Sequence, residues 1–469
     1  MMLLLPIMLL VPLIFLFPLI VADKRYAHQI TVAASSIVLI LSVAVLYLVH
    51  SNGLSYVSAS AIYVPALNIG FSLSLSQSSL ILLIMTAAVF FASSLVGEYF
   101  IGKVGRVYAT VFLVAESASL GVFMAANLFL LYLFWEVAEV MVFFIIFLYG
   151  GYNRRYASIK FLIYSIISSL LLLIGIIVLY NSISPHTFDI SAIVSASQSI
   201  PARAQLEVLV LFLVAFMIKM PAFPFHSWLP DAHTEAPTTG SMILAGVLLK
   251  FGGYGLYLMF LMLPLAAHYA LYLFLIFLVS TIYSAYVCLN QRNIKRLIAY
   301  TSITDMGIVG VGITAMNLFG YNGAMYAMFN HGIAIALLFL IAGSLDEVYG
   351  TLEIDKIKGV IKNFPGMAYL FILGTFAALG LPLTAGFIAD LLILIGAVGA
   401  FGAVGVIPIV GIIIIGAALF WLIERVFMSA SKAVEPYNPL SGNVIVSGVF
   451  LIAISVLFGV LPFLLLGQV

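Results

Sequence analysis

The sequence predicts an all-α polytopic membrane protein of about fourteen transmembrane helices, and three observations carry that prediction. Of 469 residues, 65% are hydrophobic and 7% charged, with a mean hydropathy of +1.26, whereas a water-soluble domain carries about 25% charged residues. The apolar residues come in runs longer than the ~18 that a bilayer crossing requires. Lys and Arg, finally, gather on alternate loops between those runs, the pattern left by membrane insertion.

Taken in order, the first run covers Met2 to Ala22. Its positive residues, Lys24 and Arg25, follow the apolar stretch instead of preceding it, so it reads as a retained span and not as a signal peptide. Cutting the rest of the chain where apolar runs meet polar or Gly/Pro clusters gives spans near 30–50, 75–97, 106–124, 126–149, 158–181, 206–228, 239–263, 267–289, 295–316, 322–345, 367–397, 404–428 and 442–467. The loops after spans 1, 3, 5, 9, 11 and 13 and their flanks hold fifteen of the eighteen Lys and Arg residues, among them Lys103, Arg154, Arg155, Lys160, Arg292, Lys295, Arg296, Lys358 and Lys432. The opposite loops hold Arg203, and Lys219 and Lys250 lie inside spans. The positive side is cytoplasmic, which puts both termini outside a cell membrane. Arg154, Arg155, Arg292 and Arg296 fit topology signals that meet lipid headgroups.

Composition also excludes classes of function. A net charge of +1 offers no basic face for nucleic acid. The single cysteine, Cys288, excludes an internal disulfide, a four-Cys iron–sulfur cluster and a zinc–thiolate site. There is no G-x-x-x-x-G-K-[ST] run, and Gly252, Gly253 and Gly255 sit within an apolar span where small residues let helices approach. His226, Asp231, His233 and Glu235 lack helical ligand spacing, so no metal site is expected, and no cofactor in this chain. Electrons of any redox process would run through other subunits.

An ionised side chain at mid-membrane costs about 2.5–3.5 kcal/mol even on lenient scales, so the charges within spans are the informative ones. Glu136 in span 5, Lys219 in span 7, Lys250 in span 8 and Asp390 in span 12 stand out, and Glu139 shares the helical face of Glu136. Acids and bases at similar depth can hand protons along a wetted line; the plainer alternative is one structural ion pair between Glu136 and Lys219. Pro221 in span 7 and Pro382 in span 12 each remove a helical hydrogen bond and predict breaks near mid-membrane. Two breaks five spans apart point to inverted repeats. The chain would then divide into residues 1–100, a first repeat at 101–265 (spans 4–8), a second at 266–430 (spans 9–13) and a terminal helix at 431–469.

The stretch Lys219-Met-Pro-Ala-Phe-Pro-Phe-His-Ser-Trp-Leu-Pro-Asp-Ala-His-Thr-Glu-Ala-Pro237, continuing to Lys250-Phe-Gly-Gly-Tyr-Gly-Leu256, closely resembles the signature of the antiporter-like subunits of respiratory complex I. The likeness is greatest to the subunit M type, with kinship to Mrp antiporters and membrane-bound hydrogenase and sulfur-reductase subunits. Phe134-Trp135-Glu136, the run from Arg296 to Ser302, Asn330-His331-Gly332 and Gly386-Phe387-Ile388-Ala389-Asp390 extend the resemblance. It implies fourteen helices and a proton relay in which Glu136 is the span-5 acid, Lys219 the broken-helix lysine, Lys250 the connecting lysine, His331 a central histidine and Asp390 the exit-side acid. Glu139 and Asp305 are candidates to join it. The chain departs from the family's pattern at Glu139 and Met141, where an apolar run leads to a proline, at Asp305, where histidine is common, and at Asp390, where subunit M has glutamate.

The expected function is proton translocation by a membrane subunit of a redox-driven complex, with other membrane subunits, lipid and protons as partners. A sodium/proton antiporter module is the second reading. A structural or quinone-adjacent anchor subunit is the third, although an anchor has no need of four buried charges.

Overall fold

A computed structural model describes residues 3–52, 56–64, 69–102, 104–429, 435–436 and 438–466, with the backbone alone for 56–64 and 69. Lys103 and Lys432, two of the loop charges counted above, lie outside the described residues. The chain begins with α1 (Leu4–Ile14) and α2 (Leu16–Val21), which together make the first span, followed by α3 (Ala27–Ser51).

Then comes an element that the span pattern did not announce. The strands β1 (Tyr56–Val64) and β2 (Ile69–Ser76) pair antiparallel, with an irregularity in register between Ser60 and Ile62. Its signal is in the sequence: Phe71, Leu73 and Leu75 alternate with Ser72, Ser74 and Ser76, the period of a half-buried strand, and Leu73 and Leu75 are buried. Ser76 ends the hairpin as the N-cap of α4 (Gln77–Leu95) through a capping box with Ser79.

Next follow α5 (Gly97–Ile101), α6 (Arg106–Met124), α7 (Leu128–Tyr149), α8 (Arg154–Asn181), α9 (Ile190–Ala196) and α10 (Ala202–Lys219). Asn127 opens α7 by accepting from the backbone N–H of Leu130. The short helices α11 (Trp228–Glu235) and α12 (Thr238–Ile243) precede a π-helical turn at Leu244–Leu248 and α13 (Leu249–Met262). The second half holds α14 (Ala270–Cys288), α15 (Ile294–Thr314), α16 (Leu318–Tyr349), α17 (Val360–Asn363), α18 (Pro365–Ala378), α19 (Ala385–Phe401), α20 (Ile409–Leu422), α21 (Gly442–Val460) and α22 (Phe463–Leu466).

Thirteen helices among the described residues are long and apolar enough to cross a membrane. The fourteenth expected span, 206–228, coincides with α10, an 18-residue helix that carries Arg203, Glu207 and Lys219. The helices form an inner and an outer set. The α16 span is buried along its whole apolar window and the α12–α13 and α15 spans over 94% of theirs, against 28% for α3 and 22% for α19, so the former are core and the latter lie at the periphery. Close approach in the core depends on small residues. A Cβ on Gly246 would press on Val89 and on the carbonyl of Gly332, and one on Gly332 would press on Met85 and the carbonyl of Gly246, so these two glycines let the helices bearing Lys250 and His331 touch.

Candidate functional site

The first cluster forms where α10 stops. Pro221 has no N–H to continue the ladder and its ring excludes the carbonyl of Met217 from a normal turn, so Lys219 is the last helical residue and Ala222 bonds back to Met217 instead. The freed carbonyl of Ile218 accepts from the indole of Trp228 at 2.9 Å, and the backbone N–H of Phe223 finds Ser280. Lys219 therefore projects from a helix end into the core, 1% exposed, with its ammonium 5.2 Å from the ring centre of Phe161 and 5.9 Å from that of Trp135.

Its ion-pair partner is Glu139. The plainer alternative of an ion pair between Lys219 and Glu136 is not what the structure holds, and the reason is the rotation of α7. Leu131, Trp135, Ala138, Val142 and Ile145 form that helix's buried stripe and Glu139 lies on it, whereas Glu136 stands one residue, about 100°, to the side, half-buried toward Ser169 of α8. Both acids remain beside Lys219, with Glu139 in contact.

The second cluster begins at the π-helical turn before Lys250. The wider turn leaves the carbonyl of Ala245 free, and Lys250 Nζ donates to it. The same Nζ lies 2.6 Å from Nδ1 of His331 on α16. An ammonium can only donate, so Nδ1 is then the acceptor and the neutral imidazole carries its proton on Nε2. Nε2 lies 3.8 Å from Asp305 Oδ2 on α15. Base, imidazole and acid thus stand in one line across three helices.

Asp390 belongs to the second break. The chain leaves α18 after Ala378 and enters α19 at Ala385, with Pro382 between them and Gly380 and Leu383 at φ of +63° and +78°. Glycine suits position 380, whose positive φ side chains rarely adopt and where a Cβ would crowd Asp390 Oδ2 and the backbone of Gly386. The carbonyl of Ala377, which the backbone N–H of Gly380 also reaches, accepts from Asn330 at 2.9 Å. Asp390, Asp305, Asn330 and His331 line one cavity, with about 20 Å³ open to the centre of a water molecule. An apolar cavity walled by Ile308, Val311, Ile393, Ile409 and Ile412 continues from Asp390 to the turn at Gly405 and Pro408.

These two clusters sit in the part of the chain that comparison identifies. Residues 125–419 match the family described as NADH:quinone oxidoreductase/Mrp antiporter, TM. The chain belongs to this family. It is 37% identical over 373 residues to NADH-quinone oxidoreductase subunit M of Rickettsia typhi, covering 78% of this chain and 75% of that one. To the F(420)H(2) dehydrogenase subunit M of Methanosarcina mazei it is 33% identical over 395 residues, 82% and 78% of the two chains. Among solved structures, a chain of respiratory complex I from Thermus thermophilus superposes with a TM-score of 0.89 at 26% identity, covering 98% of this chain and 96% of that one. A chain of an archaeal membrane-bound sulfane sulfur reductase gives 0.86 at 25%, covering 97% and 76%, and one of the Mrp complex from Dietzia sp. shares the fold at 0.87 and 18%, covering 98% and 96%.

Three further ionisable groups lie near these clusters in this family member. His233 on α11 is fully buried, stacked on Phe339 at 4.4 Å, and neither ring nitrogen has a hydrogen-bond partner among the described residues. Asp231 is bridged by Lys160 at 2.7 Å and Arg296 at 2.9 Å, so Arg296 ties α11 to α15 and Lys160 ties it to α8. Glu116 on α6 is fully buried and accepts from Ser35 of α3 at 2.8 Å. It carried the same signal as Glu136, an acid in mid-span, and belongs in any count of intramembrane charges. His226, His233, Asp231 and Glu235 do not converge: no group of three metal-ligating side chains occurs among the described residues.

Proposed function

We propose that this antiporter-like chain carries protons across the membrane as one subunit of a redox-driven complex, through Glu139 and Glu136, Lys219, Lys250, His331, Asp305 and Asp390. The observation that carries the reading is the line Lys250 Nζ, His331 Nδ1, His331 Nε2, Asp305 Oδ2. A lysine and an acid on opposite nitrogens of one imidazole are what a transfer needs: a proton given to Nδ1 releases the one on Nε2, and neither heavy atom travels. Helix breaks beside Lys219 and Asp390 support the reading, because irregular backbone at membrane depth is tolerated where it lines protein or a wetted path. The breaks also support a division into two oppositely oriented repeats.

Lys219 loads from the cytoplasmic face and Asp390 discharges outward, with both termini outside a cell membrane. The partners are the membrane subunits of the host complex, which supply the energy, and surrounding lipid. Subunits M of NADH-quinone oxidoreductase and of F(420)H(2) dehydrogenase are named as members of such complexes.

The test is the purified complex in proteoliposomes, with electron transfer and acidification followed together. His331→Ala is expected to leave electron transfer running in the remaining subunits and to remove the proton flux that depends on this chain. Normal acidification by that variant would overturn the reading.

A further inference from the structure

Asp305 and Asp390 enter one cavity from different helices, and the charges around them leave both carboxyls without an adjacent cation. The basic group within ion-pair range of either, among the described residues, is the His331 imidazole beside Asp305. Lys250 is turned away toward Ala245 and His331 Nδ1, so its charge reaches the cavity through the ring. Asn330 is engaged by Ala377 on one side and by the hydroxyl of Ser455, at 3.3 Å, on the other.

A separate observation shows that the space is built for an occupant. Nε2 of His331, on a side chain 3% exposed, has no hydrogen-bond partner among the described residues, and His331 lines the cavity. The open volume matches one water, and the polar lining gives such a water the two or more partners it needs. Two ionised carboxylates lining one cavity of low dielectric repel each other, and the ordinary resolution is that the pair keeps a proton.

We infer that Asp305 and Asp390 form a two-carboxyl site holding a single proton in common, joined to His331 Nε2 through one bound water. The inference rests on the proton-relay reading and adds a storage function that neither acid has alone. The groups facing the pair are His331 from α16, with Lys250 of α13 and His233 of α11 behind it, and the Cys288 thiol of α14 on the side of Asp305. In the loading step Lys250 gives a proton to Nδ1, Nε2 gives its proton to the water, and the water gives one of its own to the ionised carboxylate. Lysine ends neutral, imidazole ends neutral with its proton on Nδ1, water is regenerated, and the pair goes from one proton to two. Loss of one proton outward restores the shared state.

The test is made at equilibrium, without turnover, on the purified complex containing the full chain in lipid nanodiscs. Infrared difference spectra across a pH series follow the carbonyl stretch of protonated carboxyls, and Asp305→Asn and Asp390→Asn assign it. The parent is expected to gain its two protons in steps at least about 1 pH unit apart, the mark of a coupled pair. Each variant should retain a single step at a pH that differs from both parental ones. If each variant deletes one step and leaves the other in place, the acids are independent and the inference fails. The two variants are reciprocal, so either one alone decides if the other does not assemble.

Replacing choline by sodium at constant pH should leave the carbonyl band unchanged, and its loss would make this a metal-cation site and overturn the shared proton. A shared proton combined with normal acidification in the His331→Ala variant would instead refute the relay and keep the pair.

Discussion

The two charged clusters solve the same problem, an ionisable lysine inside a membrane, in opposite ways. Lys219 is answered by an acid in direct contact and walled by Trp135 and Phe161. Lys250 is answered by a neutral carbonyl and a histidine, and its acid stands on the far side of the ring beside a cavity. A closed pair holds a charge where it is, while a lysine joined to its acid through an imidazole has somewhere to send a proton. In the proposed relay this difference fits holding at the first cluster and passing on at the second, and both tasks are needed if loading and release are to happen at different times.

The most severe way to break the first cluster is to remove its cation. Lys219→Met should bring acidification through this chain to background and leave Glu139 buried without its partner, a loss of about 3–5 kcal/mol. Restoring apolar balance with Lys219→Met/Glu139→Met should recover most of the thermal stability of the complex, since replacing a buried pair by packed apolar groups is often neutral. Acidification should not return. Recovery of both stability and acidification in the double variant would reduce the pair to a structural one.

A smaller perturbation separates the two acids. Because Glu139 makes the contact and Glu136 stands to the side, Glu139→Gln should slow proton translocation by about tenfold or more, the range expected when an adjacent opposite charge is lost, and Glu136→Gln by clearly less. Both substitutions keep shape and remove charge. Rates measured in proteoliposomes at fixed electron flux check the order, and the reverse order would return the principal role to Glu136.

The span plan was legible in the sequence because a bilayer demands runs of about twenty apolar residues, and buried lysines such as Lys219 and Lys250 stand out against them. The partner of Lys219 was not legible, because Glu136 and Glu139 share a face by spacing and only the rotation of α7, set by packing of Trp135 and its stripe, chooses between them. The acceptor of Lys250 was hidden for a similar reason: a π-helical turn leaves no mark in composition, and Ala245 looks like any other small residue. Contacts such as Glu116 with Ser35, 81 residues apart, or Arg296 with Asp231, 65 apart, depend on which helices become neighbours. The hairpin at 56–76 was written in its alternation, but the search for long apolar runs passes over period-two segments.

The mildest test leaves the chemistry alone and asks which side each cluster opens to. If the first cluster loads from the cytoplasm and the second discharges outward, the loop between α7 and α8 lies inside and the turn between α19 and α20 lies outside. Tyr152 is 99% exposed in the first loop, next to Arg154 and Arg155, and Val404 is 41% exposed in the second. Cys288 is buried and bonded toward Leu297, so it contributes little background. In intact cells a membrane-impermeant maleimide should label Val404→Cys and spare Tyr152→Cys, and a permeant maleimide should label both. Labelling of Tyr152→Cys by the impermeant reagent, with Val404→Cys spared, would reverse the direction of transfer and make Asp390 the loading group. Protection of Tyr152→Cys from both reagents would mean that a partner subunit covers this loop, and the same pair of reagents on the chain extracted from its complex would then read the orientation of the second loop alone.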